Sequence, residues 1–177
     1  MHTSLQNLFD EIEIQRKKML DSVKTFSQEE LNKVLHPGNW SAAQILSHLI
    51  TAEQLSLRYM QKKIQGIKEA PDSGLWEEVK INLLKISQRL PGLKFKAPQN
   101  VMEHMAQYQE LTTITTEWEK VRGELKSLFE KIPDDQINRK IYRHVLAGYL
   151  NAKHSLIFFR EHLTHHTPQI KKLLKVT

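Results

Sequence analysis

Three histidines lie within five positions of one another in the stretch EHLTHHTPQI (161–170). Imidazole nitrogens are common ligands of divalent metals. Two histidines one helical turn apart can bind the same ion, because side chains at i and i+4 lie on one face of a helix. The chain contains nine histidines, so an isolated H-x-x-x-H pair arises easily by chance. The direction in which each ring points is therefore more informative than the spacing.

Helical phase separates these histidines into two groups. At about 100° per residue, the apolar residues of the last predicted helix form one stripe centred near Leu163. His166 falls inside this stripe, and His162 lies on its border one turn away. His165 and His154 fall on the opposite face, where we expect solvent. The phase therefore predicts an inward pair, His162 and His166, and an outward His165.

A stable metal site usually needs a third protein ligand. The candidate is His48, which sits at the border of the apolar stripe of the second long helix. A structural role is the commoner explanation for a single histidine in such a position, and for the inward pair alone the two roles are evenly balanced. Glu53 and His104 are the candidates for proton transfer or further contacts with the site. A hydrogen bond between helices explains Glu53 as well as catalysis does, and a structural role is favoured for His104.

The elements that must position these residues are predicted to be helical. Only six of the 177 residues are glycine, and apolar residues recur at spacings of three and four. The motifs at Ser27 and Ser41 are capping boxes that start helices. Long helices are predicted over about 4–25, 41–65, 98–132 and 149–174, with a shorter helix over about 73–90. We expect a single all-α domain over 1–177, a four-helix bundle whose long connection between the second and third long helices carries the short extra helix. Residues 134–148 are predicted to be irregular, and the segment 93–96 is too short to indicate a sheet.

Composition excludes several kinds of site. The chain has no cysteine, so disulfides, thiolate metal sites and a cysteine nucleophile are all excluded. The net charge of +6 comes from scattered basic residues accompanied by 20 acidic ones, and no nucleic-acid-binding module is recognisable. Neither a signal sequence nor a membrane span is present in the pattern. We expect a cytoplasmic protein with a small-molecule substrate and without a nucleic-acid or membrane partner, and a homodimer stays open.

Two stretches resemble a known family. The strings NWSAAQILSHL (39–49) and REHLTHHTPQI (160–170) are similar to the two signatures of the DinB/YfiT-like superfamily of four-helix-bundle metalloproteins. In that family a tryptophan-serine turn introduces a helix whose central histidine is one metal ligand, and an H-x-x-x-H on the last helix supplies two more. The resemblance implies that the ligands are His48, His162 and His166.

The resemblance also implies a range of chemistry, namely metal-dependent hydrolysis or the use of low-molecular-weight thiols. Three imidazoles leave an open position on a divalent ion, with zinc or nickel favoured and iron, cobalt or manganese also compatible. A metal-dependent hydrolase normally has a carboxylate base nearby, but helical phase points Glu161 outward. We therefore expect a thiol-dependent transferase whose thiol is a cosubstrate. A hydrolase and a non-enzymatic metal-binding or interaction bundle are the alternatives.

Overall fold

The computed structural model describes residues 1–90, 97–108 and 110–175. Its α-helices are α1 (Thr3–Ser22), α2 (Gln28–Asn32), α3 (Ala42–Lys63), α4 (Leu75–Arg89), α5 (Gln99–His104), α6 (Leu111–Glu130) and α7 (Ala152–Leu174). Two 3₁₀ segments cover Ile64–Glu69 and Asp134–Gln136, and two short strands are β1 (Tyr142–His144) and β2 (Gly148–Leu150). The long helices α1, α3, α6 and α7 form the predicted four-helix bundle. Among the described residues, no helix is long and apolar enough to cross a membrane.

The bundle core lies between the apolar faces of the four long helices. Helix α1 packs along α7, and α3 packs against both α6 and α7. Large side chains such as Trp118, Phe129 and Phe159 are fully buried there. Helix α4 is the short extra helix predicted in the long connection, and it packs along α7 outside the four-helix core. As a consequence, α7 is covered on more sides than a corner helix of a plain four-helix bundle.

Both predicted capping boxes are confirmed. Ser27 accepts a hydrogen bond from the backbone N–H of Glu30, and Ser41 accepts one from that of Gln44. The side chains of Glu30 and Gln44 each accept one in return from the backbone N–H of the capping serine. These reciprocal bonds satisfy donors that the first turn of a helix leaves free. Ser41 thereby fixes where α3 begins, and with it the height of His48 in the bundle.

The prediction of one continuous helix over 98–132 is wrong. Helix α5 ends at His104, and α6 begins only at Leu111. The apolar residues Met105, Tyr108, Leu111 and Ile114 follow one another at three successive spacings of three. Nine residues rotate a helix by about 180° beyond two full turns, so Met105 and Ile114 would lie on opposite faces of a straight helix. A break between α5 and α6 allows both segments to face the core.

The segment 134–148 is more regular than predicted. Strands β1 and β2 pair in antiparallel register, with Tyr142 opposite Leu150 and His144 opposite Gly148. Three-residue strands are too short to show the alternation that identifies a strand in a sequence. Helix α7 accordingly begins at Ala152 rather than at about 149, because Asn151 caps it by accepting from the N–H of His154. The predictions for 91–96 lie outside the described residues.

Candidate metal centre

Three histidine rings converge in the bundle core. His48 comes from the second turn of α3, and His162 and His166 come from consecutive turns of α7. The Nε2 atom of His162 lies 3.0 Å from Nε2 of His48 and 3.2 Å from Nε2 of His166. One ligand atom from each ring lies within 4.8 Å of the others. The structure therefore brings together the three residues that the sequence proposed as ligands, in a group that could hold one metal ion.

The turn before α3 contributes a wall of this site as well as its cap. Trp40 directly precedes the capping residue Ser41, and its ring centroid lies 4.9 Å from that of His48 and 6.5 Å from that of His166. The plane of Trp40 is nearly parallel to that of His166. The tryptophan-serine pair thus has two physical roles, since the serine starts the helix and the tryptophan packs on two of the histidines.

Further contacts orient the two histidines of α7. Phe158, one turn before His162, stacks on its ring at 5.2 Å between centroids. The Nδ1 atom of His166 lies 3.0 Å from Oε1 of Gln169. A carboxamide oxygen can only accept, so Nδ1 of His166 donates and the lone pair remains on Nε2, which faces the other two rings. A metal-ligating histidine typically shows this arrangement, with the second ring nitrogen held by an outer hydrogen bond.

Burial keeps all three rings neutral at ordinary pH. It lowers the pKa of His48 to about 4, with a smaller contribution from His165. It lowers the pKa of His166 to about 3, with His48 adding to the effect and Gln169 opposing it. The pKa of His162 falls well below its usual value for the same reason, since His162 is buried between the other two rings. Neutral imidazoles are the form that binds a metal, so protons compete weakly for this site.

Two other histidines of α7 lie outside the trio but are not exposed as predicted. His154 is fully buried, and its Nε2 lies 3.0 Å from a carboxylate oxygen of Glu78 on α4. His165 is partly buried, and its Nδ1 atom lies 3.0 Å from the backbone oxygen of Gln88 on α4. The prediction of a solvent-facing side for these residues is wrong because α4 packs on that side of α7.

Glu161 is also buried rather than outward-facing. Arg89 of α4 donates two hydrogen bonds to its carboxylate, at 2.6 and 2.9 Å, and Arg160 donates a third at 3.2 Å. Only 1% of the Glu161 side chain is exposed. The carboxylate next to His162 in sequence is therefore neutralised by arginines on the α4 side of α7.

The two candidates for proton transfer have other surroundings. Glu53 accepts a hydrogen bond of 2.6 Å from Arg122 and one of 2.9 Å from the indole of Trp118. Burial raises the pKa of Glu53, while these two partners oppose that shift. His104 lies at the end of α5, exposed, with Nδ1 2.8 Å from the backbone oxygen of Asn100. Neither residue belongs to the three-histidine group.

A fourth buried histidine near the trio was missed by the sequence analysis. His144 lies on β1, and its ring packs edge-on against Phe158, 4.4 Å between centroids, on the aromatic layer that covers His162. Its Nδ1 accepts hydrogen bonds from the backbone N–H groups of Leu146 and Ala147. Burial lowers the pKa of His144 to about 4, so the ring is neutral. Because Nδ1 accepts hydrogen bonds, the proton of the neutral ring lies on Nε2. No signal in the sequence indicated this residue, because the hairpin that positions it was not predicted.

A family model described as the DinB superfamily matches residues 11–170, which include all three converging histidines. The chain belongs to the DinB superfamily. The matched range contains both stretches that carried the resemblance, which form the start of α3 and the centre of α7. The membership of the family that these stretches indicated is therefore confirmed.

Comparison with solved structures adds the fold of one relative. The DinB-superfamily chain is similar to YfiT from Bacillus subtilis, described as a probable metal-dependent hydrolase with an unusual four-helix bundle topology. The TM-score is 0.62 at 13% sequence identity, and the match covers 99% of this chain and 89% of YfiT. Among curated proteins, none matches the chain. The likeness to YfiT establishes the four-helix-bundle fold.

Proposed function

We propose that this DinB-superfamily protein is a divalent-metal-dependent enzyme that transfers a thiol cosubstrate to a small electrophilic substrate. In this proposal His48, His162 and His166 hold the ion. The observation that carries it is the convergence of three neutral Nε2 atoms in a buried site, where no carboxylate of the described residues joins the group. Zinc and nickel are the ions that best suit three imidazoles, and iron, cobalt and manganese are also compatible.

The donor set fits a metal better than it fits a purely structural role. A ring that carries its proton on Nδ1 directs the lone pair of Nε2 into the space that the three Nε2 atoms share, where one cation can be bound by all three. The hydrogen bond from His166 Nδ1 to Gln169 directs one of these lone pairs inward. A divalent ion bound there would supply Lewis acidity and would lower the pKa of a thiol or water at its open position.

The polar surroundings favour a thiol over water as the nucleophile. Activation of water in a hydrolase normally uses a nearby carboxylate that accepts a proton. The two buried glutamates considered for that role, Glu53 and Glu161, are each held by arginine. Three neutral ligands also leave the charge of a divalent ion uncompensated, which stabilises an anion such as a thiolate. The chain has no cysteine, so the thiol comes from a second small molecule.

A metal-dependent hydrolase is the second candidate, and one observation favours it. His144 is a neutral imidazole that contacts Phe158 at the edge of the site, and its Nε2–H is not used by the turn that holds Nδ1. Such a group could donate a hydrogen bond to a substrate oxygen on which negative charge develops. The description of YfiT as a probable metal-dependent hydrolase points in the same direction.

Turnover measurements separate the two candidates. Untagged, metal-replete protein is mixed with an aryl chloride electrophile and, in separate reactions, cysteine, glutathione or bacillithiol, and thioether formation is followed by absorbance. A nitrophenyl ester without thiol serves as the hydrolase substrate. We expect thioether formation that a chelator abolishes, that added metal restores and that His48→Ala lacks. Chelator-sensitive ester hydrolysis without any thiol-dependent reaction would instead support the hydrolase, and activity with neither substrate would support a non-enzymatic bundle.

A further inference from the structure

Helix α4 presents an apolar face to solvent. Its inward face toward α7 buries Ile81 and Leu84 but also the polar residues Glu77 and Gln88. Its outward face, continued by the C-cap residue Leu90, carries five large apolar side chains that are 45–64% exposed. These five residues, here named the α4 stripe, are Trp76, Val79, Leu83, Ile86 and Leu90. The distribution is the reverse of that expected for a helix on the outside of a bundle, where apolar residues face inward.

The spacing within the α4 stripe is that of a helix-pairing seam. Its members follow one another at intervals of three, four, three and four residues, which is the a and d pattern of a coiled coil. On a straight helix this pattern forms a narrow row that one partner helix can cover. A contiguous apolar patch of this kind on a protein surface typically marks an interaction site.

We propose that a second copy of this chain covers the α4 stripe, so that two α4 helices pair in antiparallel orientation about a two-fold axis. A second copy offers the same row of apolar residues, and a two-fold contact requires a surface that matches itself. The proposal concerns a face of the molecule that belongs to α4, and it does not depend on the proposed function.

The antiparallel arrangement gives each stripe residue an apolar counterpart. With Leu83 on the two-fold axis, Trp76 lies level with Leu90 of the second copy. Val79 then lies level with Ile86 of the second copy, which pairs a smaller residue with a larger one. The paired region is about 22 Å long, at a rise of 1.5 Å per residue. Alternating large and small side chains across an interface allows the two rows to interdigitate.

Helix dipoles favour this orientation over a parallel one, because antiparallel helices place their opposite dipole ends together.

The apolar area is sufficient for a stable interface. Five large side chains exposed by about half offer about 500 Å² of apolar surface per copy. A standard interface buries about 800 Å² per partner, of which about 60% is apolar, so the stripe supplies that apolar part. The remaining area would come from the charged stems on either side of the row.

Solution mass under matched substitutions tests the proposal. The full chain has a mass of 20.8 kDa, so sedimentation equilibrium should give twice this mass at micromolar concentration. Leu83→Glu places two carboxylates together at the axis and should raise the dimer dissociation constant by at least about 100-fold. A matched pair of substitutions, Ile86→Glu within the stripe and Ile14→Glu outside it, supplies the control. Ile86 and Ile14 are 56% and 54% exposed, and both lie on helices. Ile86→Glu should dissociate the dimer, and Ile14→Glu should leave it intact.

A cross-link provides a second measurement that does not require a disrupted interface. Because the chain has no cysteine, Leu83→Cys introduces a single thiol at the axis, and mild oxidation should give a covalent dimer. Ile14→Cys should not cross-link. A protein that stays monomeric at every concentration up to about 100 μM would overturn the proposal and assign the stripe to another partner. Association that needs more than about 100 μM is weak. A dimer that survives both Leu83→Glu and Ile86→Glu would overturn it equally, because the copies would then meet elsewhere.

Discussion

Two of the buried polar groups in the bundle core differ in how their polar atoms are satisfied. In the first, Arg122 and Trp118 of α6 donate hydrogen bonds of 2.6 and 2.9 Å to the two carboxylate oxygens of Glu53 on α3. In the second, the Nε2 atoms of His48, His162 and His166 approach one another at 3.0 and 3.2 Å. The first group joins donors to an acceptor and a positive charge to a negative one. The second group consists of three imidazole Nε2 atoms and contains no pair of opposite charges.

This difference indicates which of the two groups needs a ligand. The buried carboxylate of Glu53 is satisfied within the protein, because a guanidinium and an indole donate to its two oxygens, and its contribution is to the packing of α3 against α6. Three neutral imidazoles have no buried counter-charge, and a cation between their lone pairs would complete them. The histidine group is therefore the functional candidate, and the Glu53 group is a structural link close to it on the same helix.

Removing a histidine of the trio should have the largest effect, and on metal content rather than on folding. Structural zinc sites bind with about 10–16 kcal/mol, so deleting one of three ligands should weaken the metal affinity by at least about 1,000-fold. Elemental analysis of untagged protein should show about one divalent ion per chain and almost none in His48→Ala, His162→Ala or His166→Ala. The matched control is His165→Ala on the same helix, which should keep the ion. Retention in His162→Ala together with loss in His165→Ala would refute the ligand assignment.

Breaking the Glu53 group should have the opposite pattern. Glu53→Gln leaves the buried guanidinium of Arg122 with only Glu13, at 3.6 Å, as a counter-charge, which should lower the free energy of unfolding by about 3 kcal/mol. Urea denaturation measures the change, and metal content per folded chain should stay at the wild-type level. Glu124→Gln, an exposed glutamate of α6, should change stability by less than about 0.5 kcal/mol. Loss of metal without loss of stability in Glu53→Gln would place Glu53 in the metal site.

The trio could be predicted from the sequence because its geometry depends mainly on local periodicity. His48 and the pair of α7 lie on or beside apolar stripes, and helices in a bundle turn such stripes toward a common core. The capping box at Ser41 fixed the start of α3, which set the position of His48 along the helix. The family resemblance then selected the same three residues from nine histidines.

The surroundings of the trio could not be predicted because they depend on contacts between distant segments. A helical wheel assigns the face opposite the core to solvent, but α4 packs on that face of α7 and buries His154 and Glu161. His144 was missed because strands of three residues carry no periodic signal. The break between α5 and α6 follows from apolar residues whose phase drifts around the helix, which a count of spacings does not show.

The pH dependence of stability should separate the two groups by a smaller effect. Burial lowers the pKa of His48 from 6.5 to about 4, so the folded chain binds fewer protons than the unfolded chain between these values. The stability of metal-free protein should therefore be greatest above pH 6.5 and fall as the pH decreases toward 4. For His48 alone this amounts to about 2 kcal/mol between pH 7 and pH 5, at 1.4 kcal/mol per pKa unit.

Urea denaturation in the presence of a chelator measures this slope. His48→Gln should reduce it between pH 7 and pH 5, whereas Glu53→Gln should lower stability at both pH values and leave the histidine slope in place. An unchanged slope in His48→Gln would mean that the pKa of His48 is the same in the folded and unfolded chain, so that burial does not hold this ring neutral. Added metal should leave the slope above pH 5 in place and extend it below pH 4, because bound metal holds the folded histidines unprotonated while those of the unfolded chain still titrate.

The smallest expected effect concerns the outer hydrogen bond of the trio. Gln169 accepts from Nδ1 of His166 at 3.0 Å and thereby keeps the lone pair of Nε2 directed at the other rings. Loss of such a partner typically costs 10–100-fold in metal affinity, and we expect about tenfold for Gln169→Ala because Gln169 itself is exposed. Competition with a chelating indicator measures the affinity, with Gln61→Ala, an exposed glutamine of α3, as the control. Gln169 is exposed and takes no part in the Glu53 group, so its removal should leave the stability of the metal-free protein within about 0.5 kcal/mol of wild type. A change in stability without a change in affinity would show that the Gln169 bond supports α7 rather than the metal ligands.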